Sequence, residues 1–161
     1  MFLIRQACPE DMEQILAVYE RARQFMREHD NPTQWQDGHP RQEILREDIR
    51  IGQLYVVTKQ ESICGVFALI PGIDPTYGYI EGAWHHDAPY ATIHRVASNG
   101  REKGVLAACV DYSANRCSHL RIDTHENNYV MQNALAKLGF SRCGIIYLAN
   151  GDPRIAFDRL R

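Results

Sequence analysis

The sequence predicts an α/β protein in which helices flank a mixed, largely antiparallel sheet (α+β in character), and three observations predict it. Apolar, β-rich runs at 54–58, 63–70, 90–97, 120–124, 143–148 and 154–160 are interspersed with stretches whose apolar residues recur every three or four positions. The segment from Tyr90 to Thr124 runs strand, glycine-containing turn, helix, strand, which is the crossover that joins two parallel strands. The chain has 161 residues, 45% hydrophobic and 24% charged, so one domain spanning 1–161 around a single core is expected.

Residues 2–8 form a short strand, and Pro9-Glu10-Asp11 opens a helix, because proline suits a first helical turn and acids suit the positive end of the helix dipole. Met12, Ile15, Leu16, Tyr19, Ala22, Phe25 and Met26 then share one face through about His29. Asp30 to Pro40 is polar and turn-forming, a loop holding one aromatic, Trp35. A second amphipathic helix runs from Arg41 to about Ile51, with Ile44, Leu45, Asp48 and Ile49 on one side, and Gly52 ends it. Leu54–Thr58 and Ile63–Ile70 form a hairpin across Lys59-Gln60-Glu61-Ser62, and Pro71-Gly72 closes its second strand. Thr76–Glu81 alternates like a strand, a loop follows at Trp84-His85-His86-Asp87, and Tyr90–Ala97 is the next strand. After the Asn99–Gly104 turn comes a helix with Val105, Cys109 and Tyr112 on one face, then the Leu120–Thr124 strand. The Asn128–Leu138 helix buries Met131, Ala134, Leu135 and Leu138 and stops at Gly139. A hairpin of Cys143–Leu148 and Arg154–Leu160, turning at Asn150-Gly151, completes the order β-α-α-β-β-β-β-α-β-α-β-β.

Composition excludes several function classes. Eighteen Lys and Arg against 20 acids give a net charge of −2, which supplies no field for polyanions, so no nucleic-acid partner is expected. Five cysteines, an odd number with no Cys-x-x-Cys pair, read as reduced thiols and a cytoplasmic setting. Arg5 and the acids by position 10 leave no signal-peptide apolar region, and the longest apolar stretch, Val66–Ile70, is far too short for a membrane helix. No Gly-x-Gly-x-x-Gly follows the first strand, which disfavours a dinucleotide enzyme. His85-His86-Asp87 with His94 or His119 is a weak zinc pattern, since adjacent histidines point apart and no His-Glu-x-x-His accompanies them; no metal is expected.

The segment with the clearest chemistry is Val96 to Val105, where a strand feeds a glycine-containing turn and a helix N-terminus; unpaired N–H groups and the helix dipole there suit an anion. Arg101-Glu102-Lys103-Gly104-Val105-Leu106 resembles, at Arg101 and Gly104, the pyrophosphate loop of the GNAT superfamily of acyl-CoA-dependent N-acyltransferases, Arg/Gln-x-x-Gly-x-Gly/Ala. Leu106 departs from that pattern. Val96, five residues before the Arg, Asn128 opening the last helix and Gly139-Phe140 closing it also match the family, and the likeness covers essentially the whole chain. Arg121-Ile122-Asp123-Thr124-His125-Glu126-Asn127-Asn128 and Asn31-Pro32-Thr33-Gln34-Trp35 look like a bacterial subgroup of this superfamily of unknown substrate.

The resemblance implies a GNAT-like fold and an N-acetyltransferase that moves an acetyl group from acetyl-CoA to a primary amine of a small molecule or peptide by direct attack. It implies cofactor contacts from Val96, Ser98, Arg101, Glu102, Lys103, Gly104, Val105, Leu106 and Asn128, with the Val96 N–H facing the thioester carbonyl as an oxyanion donor. An amine attacks only when neutral, so a base is required. His94, placed by period two on the same strand face as Val96, and Glu81 on the neighbouring strand are the candidates; the alternatives are a packed core histidine and an exposed strand carboxylate. The family's tyrosine acid, four residues before Gly-Phe, is Leu135 here, which leaves Tyr129, His125 or Tyr147 to protonate the leaving thiolate, or no group at all. Trp35, Tyr79, Trp84 and Tyr147 are candidates for the acceptor pocket or for ordinary packing. An exposed sheet edge leaves room for a homodimer. The rival reading is a GNAT-like domain that binds CoA or a protein partner without turnover, favoured by Leu106 and Leu135.

Overall fold

The structure, a computed structural model, describes residues 1–35 and 38–161; Gln36 and Asp37, inside the expected 30–40 loop, lie outside the described residues. In chain order the elements are β1 (Leu3–Gln6), α1 (Met12–Glu28), α2 (Gln42–Arg50), β2 (Leu54–Lys59), β3 (Ser62–Pro71), β4 (Glu81–Gly82), β5 (Ala91–Ser98), α3 (Val105–Ala114), β6 (His119–Thr124), α4 (Tyr129–Lys137), β7 (Ser141–Tyr147) and β8 (Pro153–Leu160). They form one eight-stranded mixed sheet in the order β1-β2-β3-β5-β6-β8-β7-β4, with β5 and β6 the parallel pair. No helix among the described residues is long and apolar enough to cross a membrane.

Strand alternation divides the core between the two sheet faces. Ile15, Val18 and Tyr19 of α1 and Leu45 of α2 pack on Val56, Val66 and Ala68. On the other face, Cys109 and Val110 of α3 and Leu135 of α4 pack on Val57, Phe67, Ile93, Leu120 and Ile122. Neighbouring residues such as Val56 and Val57 serve opposite layers, as a strand covered on both sides requires.

One expected strand is corrected. Residues 75–77 form a 3-10 turn started by Asp74, whose side chain accepts from the Thr76 N–H, and only Glu81–Gly82 is extended. That short strand pairs with β7, at the far edge of the sheet from β3. Gly82 and Gly144 permit the pairing: a Cβ on either would collide with the backbone of the other strand. Glu81 therefore does not lie on a strand beside His94, as the sequence predicts.

Two irregularities in β5 open the middle of the sheet. It pairs with β6 only at Ala91↔Leu120 and Thr92↔Arg121, after which the strands part. Its register with β3 shifts between Val66 and Ala68, a bulge in which Arg95 adopts φ +52°. A non-glycine residue in that left-handed conformation needs support. Tyr19 of α1 donates its hydroxyl to the Arg95 carbonyl at 2.6 Å, and buried Asp48 of α2 accepts from Arg95 Nε and Nη2 at 2.9 and 3.0 Å.

Candidate active site

Beside the gap between β5 and β6 lie two cavities, of about 300 and about 340 Å³, that share Met26, Val96 and Met131, and β6 lines the second of them. Val96 is the seam because β5 lies beside the gap there and the bulge at Arg95 has just altered the direction of its side chains.

The first cavity is walled by Ala22, Phe25 and Leu106 and reaches the turn before α3. Gly104 caps that helix at φ +88°, and the first i→i−4 bond is Ala108 N–H to the Gly104 carbonyl at 3.0 Å. The N–H groups of Val105, Leu106 and Ala107 thus precede the helical ladder and are available to an anion. A Cβ at Gly104 would meet only Phe2, at 3.7 Å, so glycine is needed there for its backbone conformation rather than for space. The Ser98 Oγ accepts from Gly100 N–H at 3.0 Å, and the Asn99 Oδ1 from Arg101 N–H at 3.0 Å, which shapes the turn. Glu102 lines the cavity and is paired with Lys59 at 2.9 Å, whereas Arg101 and Lys103 are not among its lining residues. Asn128 lines it too, but its side chain is engaged: Oδ1 accepts from Met131 N–H at 3.1 Å, capping α4, and Nδ2 donates to Gln34 Oε1 at 3.0 Å.

The second cavity is polar. His94 lines it, with Nε2 at 2.7 Å from Asp74 Oδ2. The carboxylate only accepts, so neutral His94 carries its proton on Nε2 and leaves the Nδ1 lone pair free of that carboxylate. Burial acts to raise the Asp74 pKa, but hydrogen bonds from His94 and from Thr76 outweigh it and hold it at about 2. Asp123 lines the same cavity and accepts from the Tyr77 hydroxyl at 2.6 Å; burial pushes its carboxyl up. Arg154 and His39 complete the polar wall, and burial pushes the His39 imidazole down. Trp35 both caps the core, edge-on to Tyr19 at 5.6 Å, and lines this cavity.

The bulge also corrects the relation of His94 to Val96. His94 stands opposite Ala68, in the layer under α1 and α2, while Val96 packs against the α3 and α4 core. Period two fails between them because Arg95 is the inserted residue. Both still border the second cavity, from different directions.

Several sequence candidates lie elsewhere. Glu81 accepts from the Tyr147 hydroxyl at 2.7 Å at the far sheet edge, and exposed Tyr79 sits 6.4 Å from the Tyr147 ring. Trp84 packs on Tyr77 at 5.0 Å and under the Arg121 guanidinium at 3.9 Å. Tyr129 is 63% exposed at the α4 N-terminus and borders neither cavity. Leu135 is fully buried in the core, so no phenol stands at the family's acid position. Of the weak zinc pattern, His85 meets Asp158 at 2.8 Å and Cys143 at 3.2 Å, both on Nδ1, away from His94.

Asp74, Asp123 and Arg154 are the groups that sequence reasoning missed. Asp74-Pro75-Thr76 signals a capped turn, and only the fold carries that cap to His94, 20 residues on.

No family model and no curated protein matches the sequence. Solved structures do. An acetyltransferase of the GNAT family from Streptococcus agalactiae is 30% identical, covering 99% of this chain and 95% of that one, with TM-score 0.90. A putative acetyltransferase from Staphylococcus aureus is 23% identical over 98% of each chain, with TM-score 0.72. A ribosomal-protein-alanine N-acetyltransferase from Brucella melitensis, 20% identical over 99% of each chain with TM-score 0.63, shares the fold. An identity of 30% sustained over nearly the full length of both chains, on the fold described above, places this chain in the GNAT family of acetyltransferases.

Proposed function

We propose that this acetyltransferase moves the acetyl group of acetyl-CoA directly to the primary amine of a small molecule or peptide, with His94 as the base. The observation that carries the reading is the junction at Val96: an apolar cavity ending in an anion cradle meets a polar cavity holding the His94–Asp74 pair. Acetyl-CoA supplies the activated thioester. The N–H groups at the start of α3 receive its pyrophosphate, Phe25 and Leu106 flank its apolar arm, and the Val96 N–H donates to the thioester carbonyl oxygen. The acceptor enters the second cavity. His94 Nδ1 takes a proton from the amine as its nitrogen bonds to the acyl carbon, and Asp74 holds the ring in the needed tautomer and stabilises the imidazolium. The sulfur departs as thiolate; a thiol pKa near 8.5 makes that tolerable without an acid.

One observation favours a second reading, in which the domain binds CoA or a protein partner without turnover: no tyrosine lines either cavity among the described residues. A thermal-shift titration with acetyl-CoA, CoA, NAD and ATP, followed by a thiol-release assay over an amine panel, separates the two. Stabilisation by both CoA species alone, with thiol release, supports acetyl transfer. Stabilisation without release from any amine supports the second reading, and no shift with either CoA species overturns acetyl transfer and leaves only the protein-partner form of the second reading.

A further inference from the structure

We propose that the second cavity selects acceptors that carry a carboxylate beside the reacting amine, free amino acids or close analogues, and that Arg154 is the group that binds the carboxylate. The proposal rests on the acetyl-transfer reading and narrows its substrate class.

Arg154 is only 6% exposed and lines the cavity. Among the described residues its guanidinium donates to two backbone carbonyls, Nη1 to Pro153 at 2.9 Å and Nη2 to Gln34 at 3.2 Å, and to no carboxylate. A buried cation bonded only to neutral oxygens is costly unless something else compensates it. The other charges of the cavity are committed. Asp74 is paired with His94, Arg95 is held by Asp48, and Asp123 is hydrogen-bonded to Tyr77. Asp123 and Asp152 act on the guanidinium through space and favour its charge, but its burial outweighs them.

Placement gives the pairing its direction. Asp123 on β6 stands opposite Ala156 on β8, and Arg154 lies two residues from Ala156, on the same sheet face. Asp123 and Arg154 thus face the cavity from adjacent strands, and Arg154 also reaches the carbonyl of Gln34 and the adjoining opening by Asn150 and Asp152. An amine directed to His94 with a carboxylate directed to Arg154 satisfies both ends of a zwitterion. The about 340 Å³ of space suits a molecule of that size. Asp152 at the adjoining opening opposes a second carboxylate, so an acceptor with a single one is expected.

The test uses the whole chain with CoA bound and a panel of free amino acids, the matching amino-acid amides and the decarboxylated amines. Calorimetric titration should show at least one amino acid binding ~30-fold or more tightly than its amide and its decarboxylated amine. Arg154→Gln should abolish that ratio rather than weaken all ligands alike, and Arg154→Lys, which keeps charge but loses the planar fork, should restore part of it. The ratio is the readout because a merely structural role for Arg154 would move every affinity together. If the variants do not fold, the wild-type ratio alone decides. Equal binding of acids and amides, or no binding by any member of the panel, overturns the proposal. Thiol release from amides and amines as readily as from acids overturns it too, yet leaves acetyl transfer standing; failure to bind acetyl-CoA removes the broader reading instead.

Discussion

The two cavities that meet at Val96 are built by different means. The first is made of backbone and apolar surface: N–H groups ahead of a helix, a left-handed glycine and side chains such as Phe25 and Leu106 that only exclude water. The second is made of side-chain heads, with Asp74 from a turn, His94 from β5, Asp123 from β6, Arg154 from β8, and Trp35 and His39 from the loop after α1. A backbone site tolerates many side-chain changes and fails where the chain must take an unusual conformation. A side-chain site fails at single atoms.

The largest effect that this contrast predicts is at His94. His94→Gln keeps a polar side chain but removes the base, so kcat/KM for thiol release should fall by about 10²–10⁴-fold while acetyl-CoA affinity stays near wild type. Activity retained in that variant would move the base elsewhere and break the proposed division of labour.

Gly104 tests the other half. Gly104→Val forces a β-branched residue into φ +88°, at a cost of about 1–3 kcal/mol, and turns the cradle away from its anion. Acetyl-CoA binding should weaken ~10-fold or more, since charge-assisted hydrogen bonds are being displaced. At saturating acetyl-CoA, kcat should change little. Unchanged affinity by titration would show that the anion does not sit at this turn.

The same contrast explains what was legible in the sequence. Helices and strands follow from local periodicity, so α1, α2, α3, α4 and most strands fall where the pattern puts them. The glycine turn is also local, since Arg101 to Leu106 is one contiguous stretch. Residues 76–81 misled because Tyr77 and Tyr79 alternate like strand residues, yet Tyr77 is 3% exposed in a turn, bonded to Asp123. The bulge was illegible for another reason: it is held by Tyr19 and Asp48, each more than 40 residues from Arg95. Period two then put His94 and Val96 on one face, and no local signal corrected it. The polar cavity draws on five segments, and nothing in a single sequence says which distant acid will meet which histidine.

The smallest predicted effect separates positioning from proton transfer at the Asp74–His94 contact. Asp74 ionises with a pKa of about 2 in the folded chain against 3.8 for a free aspartate, so the native state holds its carboxylate more tightly than the unfolded one. That stabilisation is complete above the unfolded value and is lost as pH falls through about 2. With 17% of the side chain exposed, and after allowance for solvent screening, it amounts to about 1–2 kcal/mol. Asp74→Asn should therefore be less stable than wild type in urea at neutral pH, with the gap closing as pH drops through the window between 3.8 and about 2. Its thiol-release activity should fall by less than that of His94→Gln, because the amide still orients the ring but no longer stabilises the imidazolium. A stability gap that stays constant down to the lowest pH would mean that the Asp74 side chain acts through its shape in the turn and not through its charge. That outcome would assign the carboxylate to the fold and leave His94 to work without a partner.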